Sequence, residues 1–255
     1  MLDHTPTLEK LSLDFFKDDF PKKSHKDGLN DGFYNDNEPL DGKSWVDLSA
    51  CIGRHNGLTG VSIKSFPWES EEHIRCGMAA MVASSSLTYY KHWESMWDCY
   101  GYSTLLGLVP LLTTERKLEK LYIGEICLRL EGSQKVITLL RSNYTITQLE
   151  IQYAVVGVGD LPIIHRFHKM AEIILTLNRY GRRYMAEDRG SKEKGVALLA
   201  EVAAQNVICT FPYGGKKAED ISLDCIFFHL SENPSLCDSI DVSYQASMRQ
   251  RFERM

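Results

Sequence analysis

No two cysteines of this chain stand at C-x-x-C spacing, and the seven present are odd in number. In 255 residues that argues against a disulfide framework and against a zinc site built on paired cysteines. A long apolar run is also missing. The most apolar stretch, Leu105 to Leu112, is too short to span a bilayer and contains Pro110, so no membrane insertion is expected. The opening Met-Leu-Asp-His-Thr-Pro-Thr has neither the basic nor the apolar region of a signal peptide. Together with the cysteine usage this gives the expectation of a cytoplasmic or nuclear protein that is not secreted. Basic excess is lacking as well: 29 Lys and Arg stand against 34 Asp and Glu, a net charge of −5. That speaks against a dedicated nucleic-acid binder.

Local chemical signatures are equally scarce. Gly157-Val158-Gly159 has no third glycine where a dinucleotide loop needs one; Leu161-Pro162 follows instead. Gly214-Gly215-Lys216-Lys217 lacks the upstream glycine and the hydroxyl residue of a phosphate loop. Both read as turns. His165 and His168 are three apart on a helix without a Cys, Asp or Glu at ligand spacing, and read as a solvated helix face. No nucleophile–base constellation has a local signature. The expectation is a non-enzyme with no catalytic, cofactor-binding or metal-binding residues.

What the chain does have is a recurrence. Leu118-Glu119-Lys120-Leu121-Tyr122-Ile123 has the form L-x-x-L-x-L. Approximate copies begin at Leu8, Leu58, Leu87, Ile146 and Glu172. From Leu58 onward the copies follow one another at 29, 31, 28 and 26 residues. The longer gap from Leu8 to Leu58 fits one unit carrying an exposed loop insertion over 18–41, rich in Lys, Asp, Asn and Gly. A helical pattern precedes each of three copies: Trp45, Leu48 and Ile52 lie on one face, as do Ile74, Met78, Met81 and Val82, and Val136, Leu139 and Leu140. Ser44 with Asp47, Ser70, Ser133, and Asp160 with Pro162 are the expected helix starts, because side-chain oxygens satisfy free backbone N–H groups there. A short strand with its helix cannot bury its apolar face alone, whereas stacked copies share one core.

The segment Val136 to Ile151, a helix, an Asn143-containing turn and the next strand, resembles a leucine-rich repeat of the ribonuclease-inhibitor type. The resemblance covers about Leu8 to Arg182. It implies an α/β fold: a short solenoid of five or six repeats, parallel strands on the concave side and helices on the convex side. Leu177-Asn178-Arg179-Tyr180-Gly181-Arg182-Arg183 also resembles the start of the helical C-terminal tail of repeat proteins common in diatom-type algae. The domain reading is a repeat unit over 1–183 and a helical C-terminal cap over 184–255. In the cap, Val196, Leu199 and Val202 form one helical face, and Leu223, Phe227 and Leu230 another, with Pro234 ending the second.

Alternation along the strands assigns an outward row. It holds Lys10, Ser12, Gly60, Ser62, Lys64, Tyr89, Lys91, Trp93, Lys120, Tyr122, Gln148, Glu150, Gln152, Ile174 and Thr176. Aromatics among mixed charges suit a protein-binding patch, since they give large contact area at small entropy cost. The expected partner-binding residues are Tyr89, Lys91, Trp93, Lys120, Tyr122, Gln148, Glu150, Gln152 and Tyr153, and the expected activity is non-catalytic recognition of a protein. Two alternatives remain open. One is a structural subunit of a larger assembly, docked through Phe211, Cys225, Phe227, Phe228 and Cys237. The other is a GTPase-activator-like regulator using Arg182. Arg179, Tyr180, Arg182 and Arg183 read as a solvated edge pairing with acids such as Glu187 and Asp188.

Overall fold

The computed structural model describes residues 8–14, 42–64, 71–82, 86–93, 117–126, 130–153, 161–182, 192–211 and 218–237. Five strands form one parallel sheet in sequence order: β1 (Lys10–Asp14), β2 (Gly60–Lys64), β3 (Tyr89–Trp93), β4 (Lys120–Ile126) and β5 (Gln148–Tyr153). Between and after them the described helices are α1 (Gly42–Arg54), α2 (Glu71–Val82), α3 (Leu130–Ser142), α4 (Leu161–Arg179), α5 (Lys192–Ala204) and α6 (Ser222–Glu232). The protein is thus α/β with a five-stranded parallel sheet. None of the described helices is long and apolar enough to cross a membrane. The insertion over 18–41, Ser70, Leu105 to Leu112, Asp160, both glycine turns and Arg183 lie outside the described residues.

Each strand starts two residues into its L-x-x-L-x-L copy, and the apolar positions of the copy point into the core. Leu58, Val61 and Ile63 are buried, as are Leu118, Leu121 and Ile123. In the β3 copy the same three positions hold Leu87, Tyr90 and His92, also buried. A polar pair inside a core must satisfy itself; the Tyr90 hydroxyl lies 3.4 Å from His92 Nδ1, and the two rings are stacked. Each fully buried Leu or Ile contributes roughly 1.5–3 kcal/mol, so a set such as Leu118, Leu121 and Ile123 holds neighbouring strands to the core.

The turn before each strand repeats in chemistry. Thr59 donates its backbone N–H and its hydroxyl to the Glu9 carbonyl. Thr88 does the same to Thr59, and Thr147 to Glu119. In the turn ahead of β5, Asn143 Oδ1 accepts from the backbone N–H groups of Thr145 and Ile146. Asn143 therefore forms the turn that the sequence places there.

The helices over the core follow the expected faces in α1, α2 and α3, where Trp45, Ile52, Met78, Met81, Val136 and Leu140 are buried. α1 and α2 touch closely because two glycines permit it. A Cβ on Gly53 would fall 2.1 Å from the Ala80 carbonyl oxygen, and one on Gly77 would fall 1.9 Å from Trp45 Nε1. Two helix starts differ from expectation. α1 begins at Gly42, so Ser44 lies inside it. α3 begins at Leu130, so Ser133 also lies inside, its hydroxyl donating back to the Leu130 carbonyl.

The copy at Glu172 is not a strand. It is the second half of α4, and Ile174 and Thr176 are buried, not outward-facing. The buried positions Ile164, Phe167, Ala171, Ile174 and Asn178 recur at alternating three and four residues, which is helical spacing. Moreover, Asn56-Gly57, Ser84-Ser85-Ser86 and Asn143-Tyr144-Thr145 break the chain ahead of three true strands, whereas Phe167 to Ala171 contains no breaker. α4 ends at Gly181, whose φ of 99° is the left-handed conformation that closes helices.

In the C-terminal segment the expected faces hold at Val202 and Leu230, which are buried, and fail at Val196 and Leu223. α5 buries Leu198 and Val202 and exposes Val196, while α6 buries Cys225, Phe228 and His229 and exposes Leu223. This segment also holds a short antiparallel pair, β6 (Ile208–Cys209) with β7 (Glu219–Asp220). One continuous buried cluster joins Trp45 of α1 to Phe228 of α6.

Candidate recognition surface

The strand register lines residues into rows across the sheet. Lys10, Gly60, Tyr89, Lys120 and Gln148 form the first row. Ser12, Ser62, Lys91, Tyr122 and Glu150 form the second. Asp14, Lys64, Trp93 and Gly124 form the third. The residues between the rows (Val61, Ile63, Tyr90, His92, Leu121 and Ile123) are all buried, so the rows belong to the face turned away from the helices.

Every expected partner-binding residue falls on a strand of this sheet. Lys120, Gln148 and Glu150 are exposed, and Tyr89, Lys91 and Tyr122 are half-buried. Lys91 Nζ stands 4.5 Å from the centre of the Tyr122 ring, a cation–π contact between register partners. Burial, aided by the Glu150 carboxylate, raises the Tyr89 phenol above the ordinary tyrosine value. Trp93 takes the third row by register. β4 carries a bulge after Ile123: Gly124 and Glu125 together oppose Gln152, and Ile126 pairs with Tyr153. Tyr153 therefore sits beyond the regular rows, one residue after Gln152.

The far edge of the sheet is closed by the end of α4. Asn178 Nδ2 donates to the carbonyls of Asn143 and Ile146, at 3.0 and 2.8 Å. Ser86 makes the equivalent bonds three strands earlier, to His55 and Leu58 in the turn ahead of β2. Arg179 Nε donates to the Thr147 carbonyl, the position that would receive the next threonine of the ladder, and its guanidinium also meets Glu172. Arg182 is buried; it donates to the Arg141 carbonyl and to Glu232 and stacks over Tyr144. Of the arginines expected on a solvated edge, Arg179 is exposed and pairs with Glu172, whereas Arg182 is buried and bonds within the fold to Glu232. The periodic signal that pointed to a further strand concealed this closing role.

The histidines of α4 are used internally too. His165 stacks on Phe211 at 3.7 Å between ring centres and lies 3.9 Å from Glu219. Burial, with His165 nearby, lowers His168 to about 4. Lys169 bridges Asp224 at 3.1 Å and Glu219 at 3.3 Å. Burial alone would lower its ammonium, but the two carboxylates outweigh that and hold it above the usual lysine value. Among the described residues no group of three or more His, Cys, Asp or Glu is placed to hold a metal ion. Burial pushes the Cys209 thiol up to about 11 and the Cys225 thiol up to about 12, which keeps both protonated and unreactive at neutral pH.

A concavity that the sequence did not suggest lies between α3 and α4. It has a volume of about 450 Å³ and is lined by Leu130, Ile137, Ile163, Phe167 and Met170 with Arg141 and Arg166. No family model matches the chain, and comparisons with curated proteins and with solved structures return no match.

Proposed function

We propose that this chain is a non-catalytic recognition module, a short leucine-rich-repeat solenoid whose exposed strand face binds a protein partner. The observation that carries the reading is the shared register: five parallel strands in sequence order hold Tyr89, Lys91, Lys120, Tyr122, Gln148 and Glu150 in straight rows on the face opposite the helices. A parallel sheet is rigid, so side chains displayed on it lose little ordering entropy on binding. On this reading residues 184–255 cap the solenoid end, consistent with the packing of α6 on α4, and the protein works in the cytoplasm or nucleus without cofactor or metal.

Two observations weigh against the alternatives. Cys225 and Phe228, proposed as docking residues of a structural subunit, are spent in the core. Arg182, on which the GTPase-activator reading rests, is buried against Arg141 and Glu232 and is not placed to reach a partner's phosphate.

The experiment is a truncation series on the purified complex with whatever protein co-purifies. Tyr122→Ala or Trp93→Ala should weaken the complex by more than about 1 kcal/mol, while Lys192→Ala on α5 should leave it unchanged. Equal effects from all three would remove the strand-face reading.

A further inference from the structure

The three central strands carry nine face positions: Gly60, Ser62 and Lys64 on β2; Tyr89, Lys91 and Trp93 on β3; Lys120, Tyr122 and Gly124 on β4. Three are lysines, three are aromatic, and none is acidic, in a chain whose net charge is −5. The lysines are not scattered. Lys120 lies in the first row on β4, Lys91 in the second row on β3, and Lys64 in the third row on β2. They form a diagonal, each stepping one strand across and two residues along. With strands about 4.8 Å apart and about 3.3 Å per residue, successive lysine positions are roughly 8 Å apart.

We propose that this diagonal is a docking track for an acidic extended peptide segment of the partner. The inference rests on the strand-face reading and names its ligand. In an extended segment every second residue faces the same way at a repeat of about 6.6 Å, and long, flexible lysine stems take up the remaining difference. A carboxylate at alternate positions of the segment therefore meets Lys120, Lys91 and Lys64 in turn. Tyr122 and Tyr89 flank the track, and Lys91 already rests 4.5 Å from the Tyr122 ring centre, so the aromatic residues position the ammonium and cover the segment's stems. Gly60 and Ser62 leave a low corner beside the track. A Cβ on Gly60 would meet Lys10 and Tyr89 at 3.4 Å, so the space there is shallow.

Flanking charge limits the ligand to a short segment. Asp14 and Glu150 stand on the outer strands in the third and second rows, and Glu125 sits in the β4 bulge. Glu9 and Glu119, both exposed, lie ahead of β1 and β4. This acidic surround repels a continuous polyphosphate, and the track holds no arginine with which to grip phosphate in a bidentate fork. A peptide of five to seven residues spans the three strands, with Asp14 the register partner of Lys64 at one flank and Glu150 that of Tyr122 at the other.

The test is selection of phage-displayed random nonapeptides on the full chain, with each selected peptide then measured by fluorescence anisotropy against Tyr122→Ala and Lys91→Glu/Lys120→Glu variants of verified fold. The expected result is enrichment of Asp and Glu at alternate positions. Affinity should fall at least about tenfold on the double charge reversal, and also fall for Tyr122→Ala. A 20-nucleotide oligouridylate should not bind. Selected peptides that depend on Tyr122 but carry no acidic alternation would overturn the acidic track and leave the strand-face reading standing. Peptides indifferent to Tyr122, or no enrichment at all, would overturn both. Tight, lysine-dependent binding of the oligouridylate would replace the peptide with nucleic acid.

Discussion

Asn178 shows how much a single side chain can carry. Its amide bonds two carbonyls of the preceding turn from a buried position. Replacing it with Ala leaves both carbonyls without that donor in a dry environment, a loss of about 1–3 kcal/mol. Urea denaturation of Asn178→Ala should show the midpoint shifted by that amount, with an unchanged slope. Gly77 is a second such position. A methyl there overlaps the Trp45 indole, so Gly77→Ala should destabilise by roughly 1–3 kcal/mol despite the higher helix propensity of alanine. Gly77→Ala paired with Trp45→Phe should recover part of the loss, because the smaller ring frees the overlapped volume. Buried histidines set the acid response. Burial holds His168, beside His165, and His229, beside Arg182, at about 4 in the folded chain, against 6.5 when exposed. Between those values the unfolded chain binds more protons than the folded one. The contribution of these two histidines to stability therefore falls as pH drops from about 6.5 towards 4 and is constant below. Urea midpoints measured across that window should fall steadily, and His229→Gln should flatten the slope.

Among the elements, α4 is the one whose nature decides how the sheet ends. An α-helix that meets the last strand cannot extend the sheet, so its C-terminal turn must satisfy the carbonyls that a further strand unit would have bonded. Asn178 and Arg179 do so toward Asn143, Ile146 and Thr147, and Gly181 turns the chain so that Arg182 reaches Arg141. Arg182→Met keeps the stem and removes the donors. It should expose the end of the sheet, seen as faster amide hydrogen exchange in β5 with little change in β2. The strands and the first three helices were legible from sequence because their signals agree: apolar spacing, a turn residue ahead of the strand, and a helix before it. α4 was misread because Ile173, Leu175 and Leu177 satisfy a strand pattern when the residues before them are ignored. The missing breaker between Phe167 and Ala171 was the available sign. The faces of α5 and α6 were misread for another reason. Leu223 and Val196 are apolar but exposed, and an isolated exposed apolar residue is ordinary on a protein surface, so periodicity alone assigns such faces poorly.

For the whole molecule, the central relation is that recurrence in the sequence becomes registration in space. Positions 10, 60, 89, 120 and 148 are neighbours in one row although 138 residues separate the ends. The expected surface residues were found on their strands because alternation, once the strand starts are right, fixes their rows. Tyr153 departs from the rows because it follows Gln152 by one residue, an odd step that alternation along β5 takes out of the outward set. Arg182 departed because an edge, unlike a repeat, is closed by whichever long donor reaches it. Electron–electron distance measurement tests the registration most directly, using bioorthogonal spin labels at positions 12 and 150 that leave the seven native cysteines untouched. Ser12 and Glu150 share the second row at its two ends, so four strand spacings, about 19 Å of backbone separation, should divide them. A single narrow distribution near that value, allowing for the label arms, is the expected result. A distribution centred on the separation of adjacent strands, or a broad one without a peak, would contradict the ordered five-strand face on which the proposed recognition rests.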